Sequence, residues 1–362
     1  LGVTLCAMVT SGAHLALLNG YGRIRDLAVC NAAGAVVGTG ATVVALQISS
    51  DVGVVSALAA APVATLVCST IAVKLLPRAA SRPTLREWLP QLREIIALGG
   101  AVMLGLLLTN AAQFAIRLWV EHTQGLTAVG YFQAAWTITN MYLGFVLTAL
   151  AAEYFPRISR QAADASELNV SVNAQVRLAL TLGGPVLLWM IVLAPVVLHV
   201  LYSQEFLASV GLLRWQLLGD VLKIVGWAVA FLLLARKARV RYFLGELSFN
   251  VIYLGLAFAF AAARDLTWLG IAYVVAYAVY VIVVLVVAFR ESRFVLQPSA
   301  WLLTGGLGAA GLAVVLAAQA ESFAGYAASG AIAALMTIAA AVALTRALRS
   351  ERRKEGGSAA AA

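Results

Sequence analysis

Residues 23–78 read RIRDLAVCNAAGAVVGTGATVVALQISSDVGVVSALAAAPVATLVCSTIAVKLLPR. Two basic clusters, Arg23/Arg25 and one that opens at Lys74, enclose an apolar stretch interrupted only by the Ser49-Ser50-Asp51 turn. The enclosed stretch has room for two helices of about 20 residues, the length needed to cross a hydrocarbon core of about 30 Å. The pattern then repeats. The second cluster runs from Lys74 to Arg93, and others lie at Arg157 to Arg177, Arg236 to Arg241, Arg290/Arg293 and Arg346 to Lys354. These six clusters hold 21 of the 25 Lys and Arg residues, with apolar intervals of about 50 to 60 residues between them. The turns inside the intervals are Ser49-Ser50-Asp51, Glu121-His122, Tyr202 to Glu205, Arg264-Asp265 and Gln319 to Ser322, and they carry almost no basic charge. Because short cytoplasmic loops hold the excess of Lys and Arg, the six clusters are expected inside the cell and the five turns outside.

Composition points the same way. With 62% hydrophobic and 11% charged residues in 362, the chain has too little polar surface to coat a soluble globule. The net charge of +9 is divided among loops, where it orients the chain against an anionic inner leaflet, so no nucleic-acid partner is expected. Cys6, Cys30 and Cys68 sit singly in apolar runs and imply no disulfide. His14, His122 and His199 are isolated, which argues against a metal site.

The expected fold is all-α, a polytopic membrane protein of about eleven transmembrane helices. Spans are placed at 1–19, 27–47, 53–73, 95–118, 127–151, 178–201, 208–235, 242–262, 267–289, 299–318 and 325–345. The polar stretches 75–94, with Pro77, Pro83 and Pro90, and 156–176 are read as connecting segments. Arg23-Ile24-Arg25 and Arg239-Val240-Arg241 each precede an apolar span, an acidic turn and a second span, an internal repeat of the kind that builds two-lobed transporters. On that repeat about 120 residues, or three helices, would precede the chain. The organisation expected is residues 1–74 as the C-terminal half of a first lobe, 75–94 as a cytoplasmic linker and 95–289 as a second six-helix lobe. Residues 290–347 would add two helices, and 348–362 a disordered cytoplasmic tail.

Polar residues inside spans are costly and therefore functional candidates. Asn110, Gln113 and Arg117 share one helical face, and Gln133, Thr137 and Asn140 form a second stripe on the next span. Such stripes suit a hydrated pathway that binds sugar hydroxyls and an anionic phosphate. They equally suit interhelical glue, with Arg117 snorkelling to the outer interface. Gln216, Asp220, Lys223 and Trp227 share a face, with Arg214 roughly opposite Lys223. Asp220 and Lys223 read as a structural ion pair or as ion-coupling groups. Glu246, Asn250 and Tyr253 form a further stripe, in which Glu246 lies close enough to the cytoplasmic end to snorkel.

QGLTAVGYFQAAWTITNMYLGFVLTALAAEYFPRISR at 124–160, RWQLLGDVLKIVGWAVAFLLLA at 214–235 and LLNGYGRIRDLA at 17–28 together resemble the bacterial lipid-linked oligosaccharide flippases. These include the O-antigen and enterobacterial-common-antigen translocases of the multidrug/oligosaccharidyl-lipid/polysaccharide exporter superfamily. The resemblance implies helices four to fourteen of a two-lobed, fourteen-helix transporter in the bacterial inner membrane, one that works without bond chemistry or a cofactor. It also implies rocking about a cationic cavity, which it assigns to spans 95–118 and 127–151. The substrate would be an undecaprenyl-pyrophosphate-linked oligosaccharide for surface polysaccharide assembly. H+ or Na+ would serve as the coupling ion, and a polysaccharide polymerase and chain-length proteins as partners. A peptidoglycan-precursor (lipid II) flippase and a multidrug/cation antiporter remain as alternatives. A membrane-embedded polymerase or acyltransferase is the rival of another class, against which the short outer turns argue.

Overall fold

The computed structural model describes residues 2–48, 50–76, 85–259, 265–319 and 322–359. Among them every regular element is a helix: α1 (Gly2–Gly20), α2 (Ile24–Ile48), α3 (Ser50–Lys74), α4 (Leu85–Gln124), α5 (Leu126–Arg160), α6 (Ala165–Val192), α7 (Ala194–Leu201), a 3-10 turn (Gln204–Ser209), α8 (Val210–Ala235), α9 (Arg239–Ala259), α10 (Thr267–Ser292), α11 (Pro298–Gln319) and α12 (Phe323–Ala359). Nine helical segments in the described residues are long and apolar enough to span a bilayer, and the chain is a multi-pass membrane protein. Pro77, Pro83 and Arg264 fall outside the described residues.

The connecting segments differ from the expectation. Residues 85–94 belong to α4, with Pro90 inside the helix, and α5 runs through Pro156 to Arg160. Proline is tolerated in such helices because neighbouring groups satisfy the freed backbone. The segment expected as a connector at 156–176 shrinks to residues 161–164. Asp164 starts α6 by accepting from the backbone N–H groups of Ser166 at 2.8 Å and Glu167 at 3.2 Å, an N-cap. The span expected at 178–201 is two helices, α6 and α7, broken at Leu193, with Pro195 in the first turn of α7. The tail, expected to be disordered, continues α12 to Ala359, in a stretch rich in the helix formers Arg, Ala, Leu, Glu and Lys.

Two compact units divide the chain, Leu1–Trp88 and Leu89–Ala362. In the first, α2 and α3 form a closely packed hairpin and α1 packs on α3. His14 Nδ1 lies 3.3 Å from the buried Ser69 hydroxyl across that contact. In the second unit α8 is the centre: 78% of its apolar segment is buried, against 11% for α12. It packs on α10, α6, α5 and α11. Two glycines permit the α8–α10 approach, since a Cβ at Gly219 would strike the Tyr273 ring and one at Gly226 the Tyr280 ring.

Candidate functional site

The charged residues of α8 face opposite ways. Arg214 is buried and bonded on every side: Nε donates to the Ile191 carbonyl at 3.2 Å, Nη1 to the Ala318 carbonyl at 3.1 Å and Nη2 to the Tyr326 hydroxyl at 3.3 Å. Those carbonyls lie in the last turns of α6 and α11, where orphan acceptors and the dipole both favour a cation. Arg214 is thus a fastener that ties α8 to three helices.

Lys223 faces the other way, into a cavity of about 260 Å³ between α4, α5, α8, α9 and α10. Its ammonium donates to Asn140 Oδ1 at 3.0 Å and to the Tyr273 hydroxyl at 3.4 Å. Asp220 Oδ1 is 4.0 Å from it and accepts a hydrogen bond from the Tyr273 hydroxyl at 2.9 Å. The pair expected from the i,i+3 spacing is therefore bridged by Tyr273. Asp220 is fully buried, whereas the Lys223 side chain keeps 19% of its surface open. Glu246 lines the same cavity and accepts from the Tyr280 hydroxyl at 3.1 Å. Asn250, one turn along α9, donates to the Thr109 hydroxyl at 3.1 Å and so links α9 to α4. A neighbouring groove of about 320 Å³ shares Asn140, Lys223, Trp227 and Phe231 with the cavity.

Of the residues singled out in the sequence, Asn140, Lys223, Trp227 and Glu246 line this cavity, and Asp220 joins them through Tyr273. The others lie apart. Gln133 donates to the Thr137 hydroxyl on its own helix at 3.0 Å. Thr137 lines a separate apolar groove with Met141 and Phe145. On α4, Asn110 is exposed and bonds its own helix at the Leu106 carbonyl, 2.8 Å. Gln113 is buried, and neither of its amide atoms finds a partner among the described residues. Arg117 is half-buried and donates from Nε to the Gln113 carbonyl at 3.2 Å, with no acceptor for its terminal nitrogens among the described residues.

Sequence reasoning placed Trp227 on the Lys223 face but missed the rest of the aromatic wall. Trp136, Trp227, Tyr242, Tyr277 and Tyr280 all line the cavity. The signal was present, since Tyr273, Tyr277 and Tyr280 are spaced i, i+4, i+7 on one face of α10. Among the described residues no group of three His, Cys, Asp or Glu has the arrangement of a metal site.

The family described as "Polysaccharide biosynthesis protein" matches residues 1–211. Two curated relatives, each named lipid III flippase and coming from Escherichia coli (strain K12) and Shigella flexneri, are 26% identical over 152 residues. The match covers 42% of this chain and 36% of each relative, so the chain spans about a third of the length of the curated relatives it matches. Among solved structures, the lipid II flippase MurJ in its inward closed conformation aligns with a TM-score of 0.49 at 13% identity. That alignment covers 86% of this chain and 66% of that one.

Proposed function

The chain belongs to the polysaccharide biosynthesis protein family, and from that premise we propose that the full-length protein containing it is a flippase. It moves an undecaprenyl-pyrophosphate-linked oligosaccharide from the cytoplasmic to the outer leaflet of the bacterial inner membrane by alternating access. The physical task is to take a large polar head through about 30 Å of hydrocarbon. No bond is made or broken, so the machinery required is a polar cavity that opens to one side at a time. The relatives' name, lipid III flippase, supports this class of cargo.

The observation that carries the proposal is the partly open Lys223 ammonium. It stands near the middle of α8, held by the neutral oxygens of Asn140 and Tyr273 and facing a cavity. A cation at that depth is costly unless it is paired or lines a hydrated passage; Asp220, 4.0 Å away, supplies the first and the cavity the second. The ammonium's N–H donors suit the hydroxyl-rich head of such a passenger. The test uses cells that depend on the full-length protein. Lys223→Ala is expected to accumulate lipid-linked oligosaccharide in the cytoplasmic leaflet and to reduce surface polysaccharide by more than its loss of membrane abundance accounts for. Wild-type leaflet distribution in that variant would overturn the assignment.

A further inference from the structure

We propose that the cavity beside Lys223 is a saccharide subsite, a pocket within the second unit that takes one sugar ring of the passenger's head group. The inference rests on the flippase reading and adds where, and by which chemistry, the sugar is held.

A pyranose has two kinds of surface: a face of weakly positive C–H groups and an edge of hydroxyls that donate and accept. The first is complementary to the negative π-face of an aromatic ring, and the second needs fixed polar atoms of both senses. The cavity offers both. Trp136, Trp227, Phe231 and Tyr277 line it, and their positions are set by mutual ring contacts rather than left free. Trp227 and Phe231 have centroids 4.8 Å apart, and Tyr277 packs on Phe249 at 4.3 Å.

The polar groups are a donor and two acceptor-bearing groups held in place by neighbours. Lys223 uses two N–H groups on Asn140 and Tyr273; Asp220, at 4.0 Å, is beyond hydrogen-bond reach of the third. Glu246 uses Oε1 on Tyr280, and Oε2 meets no donor among the described residues. The Tyr242 hydroxyl likewise has no partner among them. Having both an ammonium and a carboxylate, the site is matched to a neutral hydroxylated ring. An organic cation would meet the ammonium, and a bare phosphate would meet the carboxylate. The volume of about 260 Å³ falls just short of the roughly 300 Å³ at which binding-site sizes start, and it adjoins a groove of about 320 Å³.

The experiment measures binding to the full-length protein in lipid nanodiscs with two water-soluble probes. One is geranyl pyrophosphate, and the other is the same molecule carrying a single N-acetylglucosamine. Wild type should bind the sugar-bearing probe more tightly. Trp227→Phe, Glu246→Gln and Tyr242→Phe should each shrink that advantage, by roughly two- to tenfold for a lost stacking or hydrogen-bonding contact. Affinity for geranyl pyrophosphate should stay within about twofold in all three. Tyr242→Phe removes one oxygen only and keeps the test informative if a larger change impairs folding, which size-exclusion profiles report. An undiminished advantage in all three variants, or no advantage in wild type, sinks the subsite while leaving the flippase reading standing. Failure of both probes to bind wild type sinks the two together.

Discussion

Arg117 and Arg214 show how far one residue's surroundings decide its role. Both are intramembrane arginines in the sequence, yet Arg214 has three protein acceptors and Arg117 has one, a carbonyl of its own helix. Arg214→Met should therefore act on stability. It leaves the Ile191 and Ala318 carbonyls and the Tyr326 hydroxyl without their donor, a loss of about 3 kcal/mol or more at 1–3 per group. A lower melting temperature of the solubilised protein would register it, and Arg214→Lys should recover part, since an ammonium cannot reach three diverging acceptors. Arg117→Ala should leave melting unchanged, and we propose that it lowers polysaccharide export by removing the charge that draws the pyrophosphate. Export at wild-type level would return Arg117 to the snorkelling reading. Asp220 and Lys223 should couple through Tyr273. A double-mutant cycle on membrane abundance should show a coupling of about 0.5–3 kcal/mol that Tyr273→Phe diminishes, and strict additivity would mean that the two charges act separately.

At the level of elements, α8 is the axis of the second unit, and its closeness to α10 depends on what glycine omits. Gly219→Ala or Gly226→Ala would drive a methyl into the Tyr273 or Tyr280 ring. Overpacking of this kind costs about 1–3 kcal/mol. Gly130→Ala on α5, where the added methyl meets nothing within 4 Å, is the matched control. Thermal denaturation should separate the two classes; equal melting temperatures would contradict the close α8–α10 packing. Helix ends follow the same local logic. The Asp164-x-x-Glu167 signal for the start of α6 stands in the sequence, although the polarity of 156–176 reads as a connector. Its basic residues belong to helices that extend past the apolar span, where Arg157 reaches Gln175 at 3.3 Å and Arg177 reaches Gln297 at 2.6 Å.

For the whole molecule, the charge pattern makes topology testable. Cysteines placed at Ala163, Lys237 and Arg293 should be protected from a membrane-impermeant thiol reagent added outside intact cells, whereas one at Ser203 should be labelled. Labelling at Ala163 would invert the arrangement. Orientation follows from the division of Lys and Arg among loops, and no tertiary contact is needed to state it.

Fold class, the approximate position of most of the spans and the short list of embedded polar residues were determined by the sequence alone, with nine candidate spans among the described residues where eleven are expected. Apolar length, loop charge and the cost of burying polarity are local properties. The site was not legible in the same way. Asn140 lies 83 positions from Lys223, and Tyr273 lies 50 beyond it. Only the packing of α5 and α10 on α8 shows that the lysine is held by an amide and a phenol rather than by Asp220 alone. Likewise, nothing in the chain's order says that Arg214 would meet the C-terminal ends of α6 and α11. Which polar group is shared, capped or left facing a cavity depends on what the other helices bring to it, and in a bilayer, where water cannot satisfy the remainder, tertiary packing makes that choice.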